Sequence, residues 1–316
     1  KSILSNIKKS KYYLDKNECI AIPTETVYGL AGNAYSKKAT SKIFKLKNRS
    51  KNNPLIVHYY NLRSLKKDCK INKLFLKLYK RFCPGPITFV LKLNKKSEIS
   101  KNVTNNKKTL AVRFPKHPLT RKLLKEIKYP LAAPSANIST KISPVSKSDV
   151  KEEFGKKIKF ILDGGRSKIG LESTIISLIN KPQILRLGGI EINKINKALK
   201  SKLKFNNKVK KIITPGQNKL HYSPGIPVRL NIASPNMNEA FILIKKRKFS
   251  GKNFYYLSKN NNLKEAAKNL YKTLRKIKNK NFKSIAVEKI PNIGFGEAIN
   301  DMELSLDCLN NLTLDS

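Results

Sequence analysis

Cysteine, histidine and acid are what this chain has little of. Its four cysteines, Cys19, Cys69, Cys83 and Cys308, stand far apart, with no Cys-x-x-Cys pair and no histidine at metal-ligand spacing. That pattern excludes a zinc finger or ribbon and leaves buried free thiols as the expected state. No apolar run approaches the roughly 20 residues that cross a bilayer, and the first ten residues lack the apolar core of a secretory signal. A cytoplasmic chain with no membrane partner is the expectation. No Ser/His/Asp or Cys/His set suited to nucleophilic catalysis stands out. Aspartate and glutamate number 20 against 67 lysines and arginines, a formal charge of +47. Such a field draws polyanions, so nucleic acid is the obvious partner class. Yet only ten of the basic residues are arginines, and lysine, asparagine and isoleucine are abundant together, as compositional drift in an AT-rich genome produces. The charge alone supports salt-sensitive RNA association and does not name a function.

At 316 residues the chain exceeds one usual core, and two domains are expected. Ile20–Ile22 is a short buried strand ended by Pro23, followed by Thr24, Glu25, Thr26 and Tyr28 at the strand's exit, with Gly29 and Gly32 permitting close backbone approach. Ser36 caps a helix with Ala39, Ile43 and Leu46 on one face, which places Lys47 and Arg49 at its C-terminal end. Further strands are predicted at 54–58, 87–93, 109–114, 130–133, 158–162, 174–179 and 184–187, with a helix from Pro118. Lysines, asparagines and the breaker Thr214-Pro-Gly-Gln217 make 201–222 a linker. Beyond it, strands at 228–232, 254–257 and 284–287 alternate with helices near 236–248 and 262–279, a small open α/β sheet. The predicted domains are thus 1–200 and 223–316.

An ordered series of motifs then carries a resemblance. Ile20 to Asn33 is followed by Lys47-Asn-Arg-Ser-Lys-Asn-Asn-Pro-Leu-Ile-Val-His58, Pro84-Gly-Pro-Ile-Thr-Phe-Val-Leu91, Thr109-Leu-Ala-Val-Arg-Phe-Pro115 and Ala132-Ala-Pro-Ser-Ala-Asn137. Asp163-Gly-Gly165, Glu172-Ser-Thr-Ile175, Leu185-Arg-Leu-Gly188 and His221-Tyr-Ser-Pro-Gly225 complete it. Together these resemble the L-threonylcarbamoyladenylate synthase family in its long form. The resemblance implies a YrdC-like mixed α/β sheet with helices, joined by the linker to a smaller Rossmann-like open-sheet domain. It implies condensation of L-threonine, bicarbonate and ATP to threonylcarbamoyl-AMP with pyrophosphate release, supplying the threonylcarbamoyladenosine modification of tRNA. Mg2+ is expected with ATP, without a protein metal cage. tRNA and the tRNA threonylcarbamoyl-transfer machinery are the further partners it brings.

The reaction joins two anions, so fixed cations and oriented donors matter more than a side-chain nucleophile. By resemblance, Lys47 and Arg49 are catalytic. Thr26, His58, Arg113, Ala133 and Ser173 bind threonine. Arg49, Asn53, Thr109, Ser135, Asn137, Ser143 and Arg186 bind ATP, and Glu25 and Glu172 stand behind these groups as acceptors. The 201–222 segment, with His221 or Tyr222, is a candidate lid that excludes water from the adenylate. Cys83 before Pro-Gly-Pro, Leu187 after Arg186, Gln217-Asn-Lys219 and Met302-Glu-Leu304 depart from the family pattern, and the third weakens any ATP contact at Lys219. A related carbamoyl-transferring enzyme and a non-catalytic RNA-binding protein are the alternatives. Substrate omission separates the first, and RNA binding without ATP affinity would mark the second.

Overall fold

The computed structural model describes residues 2–203, 205, 222–247 and 251–307, the stretch 303–307 by its backbone alone. The N-terminal part carries strands β1 (Ile20–Ile22), β2 (Gly29–Asn33), β3 (Ile56–His58), β4 (Ile87–Lys92), β5 (Thr109–Arg113), β6 (Leu131–Ala132), β7 (Phe160–Ile161), β8 (Thr174–Ser177) and β9 (Gln183–Arg186). They form one mixed sheet in the order β7-β1-β2-β6-β3-β5-β4-β8-β9. Helices α1 (Ile3–Asp15), α2 (Lys37–Lys47), α3 (Leu62–Asp68), α4 (Lys73–Phe82), α5 (Lys101–Thr104), α6 (Pro118–Ile127), α7 (Lys147–Phe154) and α8 (Ile192–Leu199) accompany it. The C-terminal part has β10 (Val228–Arg229), β11 (Glu239–Leu243), β12 (Phe254–Tyr256) and β13 (Ser284–Val287), all parallel, in the order β10-β13-β11-β12. Helices α9 (Leu263–Lys278) and α10 (Phe295–Asp307) belong to it. Among the described residues no helix is long and apolar enough to cross a membrane.

Local chemistry sets the elements that carry the site. The Ser36 hydroxyl accepts from the Ala39 N–H at 3.1 Å and starts α2, while Asn48 turns left-handed and ends it, so Lys47 and Arg49 flank a stop. Ala39 and Ile43 bury the apolar face of α2. β3 runs parallel to β5 and β5 antiparallel to β4, which puts His58, Arg113 and Thr88 in one row across three strands. That register is fixed by the buried run on each strand: Ile56, Val57, Leu110, Val112, Phe89 and Val90 pack around it.

Three sequence expectations change here. The helix near 236–248 is instead strand β11, buried throughout between β13 and β12. A strand covered on both faces reads as a continuous apolar run, and Ala240-Phe-Ile-Leu-Ile244 has no period that separates it from a buried helix. Gly29 and Gly32 lie inside β2, antiparallel to β1, so Thr24–Tyr28 is the connection of a hairpin. Strands at 54–58 and 228–232 are shorter than expected, at Ile56–His58 and Val228–Arg229. Cys19 and Cys69 are buried free thiols, and Cys83 is half-buried; Cys308 lies outside the described residues. Most of 201–222, including Lys219 and His221, also lies outside them.

The small sheet contains a built-in acid sensitivity. Glu239, fully buried on β11, accepts from Arg229 Nε at 3.0 Å and Nη2 at 2.6 Å, from the Asn236 N–H at 2.8 Å and from the Ser284 hydroxyl at 2.8 Å. The Arg229 hydrogen bonds above all hold its carboxyl down at about 2. A lowered carboxylate contributes stability above its unfolded value near 4.5 and loses it as pH falls toward 2. We expect wild type to lose about 2 kcal/mol from this site between pH 5 and pH 2, discounted for the exposure of Arg229. Urea titrations of wild type and Glu239→Gln should show a flatter acid limb in the variant, and equal limbs would refute the assignment.

Candidate active site

The row of strand ends opens into a cavity whose walls come from the β1–β2 connection, the end of α2, β3, β5, the 133–143 loop, the start of β8 and the end of β9. Lys47, Arg49, His58, Arg113, Ala133, Ser135, Asn137, Ser143, Ser173 and Arg186 all line it, as does Tyr222. The strand register and the α2 stop thus bring eleven of the predicted residues to one space. Three others stand elsewhere. Thr26 turns its hydroxyl to Thr24 at 2.7 Å, and Thr24 takes the place in the wall. The Asn53 carbonyl accepts from Arg49 Nε at 3.1 Å, so Asn53 steadies Arg49 from outside the wall. Thr109 begins β5 opposite Lys92, four residues from Arg113 and about 13 Å away along an extended strand. His221 lies outside the described residues.

Arg113 is buried and donates from Nη2 to Glu25 Oε1 at 2.7 Å; Glu25 Oε2 is also held by the Lys116 N–H at 2.9 Å. Its Nε has no partner. A guanidinium fixed from behind, with a spare donor, suits a carboxylate ligand. Facing Arg113 across the register is His58. Burial first, then the Arg113 charge, drives its imidazole well below the usual range, so it is neutral at pH 7. Its Nδ1 is buried without a partner and can accept a hydrogen bond.

On the other side stand Lys47, Arg49 and Arg186. Lys47 is 1% exposed and donates to the carbonyls of Ser135 and Asn137, each at 2.5 Å. Burial and then the Arg49 charge lower its ammonium well below the ordinary lysine range. Arg49 is itself lowered by burial and by the charge of Arg186. Arg186 is buried and reaches the Ser173 carbonyl at 2.9 and 3.1 Å. The cations therefore push against one another. Glu172 is the one carboxylate in the described wall, and its oxygens accept from the Ser143 and Tyr271 hydroxyls, each at 2.5 Å. Such an excess of desolvated positive charge is an anion site.

The remaining motifs keep these groups close. The Tyr28 hydroxyl donates to the Gly165 carbonyl at 2.8 Å and accepts the Gly164 N–H at 3.1 Å, which explains Asp163-Gly-Gly165 as a brace for the β1–β2 connection. A β-carbon on Gly188 would meet the Glu172 carbonyl at 2.3 Å, so only glycine lets the chain after Arg186 pass there. Ser135 donates to Asn137 Oδ1 at 2.6 Å, and the Asn137 amide donates to the Ile138 and Lys141 carbonyls, which closes the loop beneath Lys47. Tyr222 is buried with a left-handed φ of 67° and stacks on Tyr271 at 5.6 Å. Sequence reasoning does not assign Thr24, Ser139 and Thr140, which line the cavity, and misses Tyr271, on α9, behind it. No local motif marks Tyr271, and its helical spacing reads as core.

A buried, cation-rich cavity at strand ends of a mixed sheet defines an α/β protein with a site suited to small anions. Residues 12–188 match the Sua5/YciO/YrdC family model, described as telomere recombination, and residues 190–302 match the threonylcarbamoyl-AMP synthase C-terminal domain. The chain belongs to the threonylcarbamoyl-AMP synthase family. The threonylcarbamoyl-AMP synthase of Pyrococcus abyssi is 35% identical over 309 residues, covering 91% of this chain and 89% of that one. That of Bacillus subtilis is 33% identical over 315 residues, 93% and 90% of the two chains. The crystal structure of P. abyssi Sua5 complexed with L-threonine superposes with a TM-score of 0.88 at 32% identity, over 96% of this chain and 94% of that one.

Proposed function

We propose that this cavity condenses L-threonine, bicarbonate and ATP to threonylcarbamoyl-AMP and pyrophosphate. The observation that carries the reading is the convergence of Arg113 with Lys47, Arg49 and Arg186 on one cavity, whose wall holds a single carboxylate, Glu172. Arg113 takes the threonine carboxylate, with Glu25 fixing the guanidinium plane. Neutral His58 accepts from the amine through its bare Nδ1 and keeps the nitrogen lone pair aimed at the one-carbon acid. The amine bonds to the carbon of bicarbonate with loss of water, giving a carbamate. A carbamate oxygen then attacks the α-phosphorus, and the bond to pyrophosphate breaks.

Carbamate and triphosphate are both negative, so their approach needs charge already in place. Lys47 and Arg49 supply it on the phosphate side, and Arg186 completes the cradle. Because these cations are held by backbone carbonyls before ligand arrives, little reorganisation accompanies reaction. Ser135, Ser143 and Asn137 offer hydroxyl and amide groups to the nucleotide. Mg2+ enters as part of the ATP substrate. Among the described residues no group of three or more His, Cys, Asp or Glu side chains could hold a metal ion, and phosphate oxygens and water are the ligands that Mg2+ ordinarily keeps.

In this reading the product serves tRNA threonylcarbamoylation in the cytoplasm, and the +47 charge favours encounter with tRNA and the transfer machinery. The test is mass spectrometry of the product formed from ATP, bicarbonate and isotopically labelled threonine. A labelled adenylate with stoichiometric pyrophosphate is expected. Equal pyrophosphate release without threonine would overturn the reading.

A further inference from the structure

Helix α9 of the C-terminal domain reaches the rear of the cavity at consecutive turns. Tyr271, fully buried, donates to Glu172 Oε2 at 2.5 Å, while Oε1 of the same carboxylate takes the Ser143 hydroxyl at 2.5 Å. One turn on, buried Arg275 donates to the Ile142 carbonyl at 2.6 Å and to Glu153 at 3.1 Å. On α10, Asp301 accepts the backbone N–H of Leu187, beside Arg186. The segments holding Ser143, Glu172 and Arg186 are thus each met by a side chain from the second domain.

Glu172 is where this matters most. It is a buried carboxylate with two short charge-assisted hydrogen bonds, one from each domain, and neither oxygen faces the cavity unpaired. Burial and then the Glu172 charge raise the Tyr271 phenol far above its ordinary range, so it remains a donor. Without that donor, the Glu172 carboxylate has one fixed partner left, and it can swing toward the cations of the cavity. A negative charge turned into a phosphate site weakens phosphate binding, and Ser143 loses its set orientation.

We infer that Tyr271 is a positioning residue, through which the C-terminal domain holds Glu172 and Ser143 in the ATP-binding arrangement. The inference rests on the reading of the cavity given above, and Tyr271 itself touches no substrate. Its experiment is the KM-against-kcat split of full-length Tyr271→Phe, which keeps the ring stacked on Tyr222 and removes the hydroxyl with its bonds to Glu172 and to the Tyr222 side chain, a Glu172→Gln background separating the two. The KM for ATP should rise about tenfold, the loss of one hydrogen bond to a charged group, while threonine affinity measured by calorimetry stays within twofold. In a Glu172→Gln background the same change should add less than twofold, because the two residues act as a unit.

An unchanged KM for ATP, equal losses for both substrates, or a full tenfold effect on top of Glu172→Gln would overturn it. If Tyr271→Phe fails to fold, Glu172→Gln decides alone: a raised KM for ATP supports the inference, and an unaltered one removes the group through which Tyr271 would act. Wild type must first yield the labelled adenylate; its failure rejects the function, whereas an active wild type beside a silent Tyr271→Phe rejects only this inference.

Discussion

Arg113→Ala should abolish measurable threonine binding, with at least a 100-fold loss, about 3 kcal/mol, while ATP binding changes by no more than about threefold. Arg113 is the guanidinium on the amino-acid side of the cavity, and its Nη2 is already committed to Glu25. The ligand's carboxylate becomes the second partner of a guanidinium that is oriented by Glu25 and buried before the ligand arrives. Truncation has another consequence, because it leaves Glu25 buried without its counter-charge, which destabilises a fold by about 3–5 kcal/mol. A loss of activity alone would therefore be ambiguous. The double variant Arg113→Met with Glu25→Gln removes both charges together; its melting temperature should recover, whereas threonine binding should not. Calorimetry with threonine and with a non-hydrolysable ATP analogue reads both sides. Threonine bound at wild-type strength by the double variant would place the amino acid elsewhere in the cavity.

The same residues show which parts of the protein are legible in sequence. Strand-end chemistry is legible because the apolar run that marks each strand is local: His58 and Arg113 each follow such a run, and pairing of those runs aligns them across the sheet. The end of α2 is legible through Ser36 and the Lys47-Asn-Arg49 stop. Thr26 and Asn53 sit within a few residues of wall positions, and side-chain direction keeps them out of the wall: Thr26 turns to Thr24, and Asn53 offers its backbone to Arg49. Periodicity cannot resolve such turns inside a connection. Thr109 fails for a simpler reason, since a strand of five residues separates its two ends widely. The misread helix at 236–248 and the overlooked Tyr271 share a cause, namely that continuous burial erases the pattern that tells a strand from a helix or a site residue from core. Contacts between the domains, such as Tyr271 with Glu172 at a separation of 99 residues, leave no local trace.

On the phosphate side the largest effect is expected from Lys47→Met, a fall in kcat of about a thousandfold, near 4 kcal/mol, the scale of losing one preorganised charge at a reacting centre. Methionine keeps the length of the stem and removes the ammonium. Threonine affinity should hold within about threefold, because the Arg113 side of the cavity is intact. Stability gives the distinguishing sign. A lysine driven well below its ordinary range opposes folding as pH drops below about 10.5, the value the unfolded chain retains, and that penalty stops growing once pH is below the folded value. Removing the charge, and with it the repulsion from Arg49, lifts the penalty at neutral pH. Against this stand the Ser135 and Asn137 carbonyls, which lose their donor. Ligand-free Lys47→Met should consequently melt within a few degrees of wild type at pH 7. Its melting temperature should no longer rise when ATP is added, because the anion that reconciles these cations has lost its deepest partner. Thermal scans with and without MgATP, beside single-turnover adenylate formation, check both outcomes together. A variant that keeps its ATP-induced shift and turns over within threefold of wild type would make Lys47 a loop anchor and move the catalytic charge to Arg49 and Arg186.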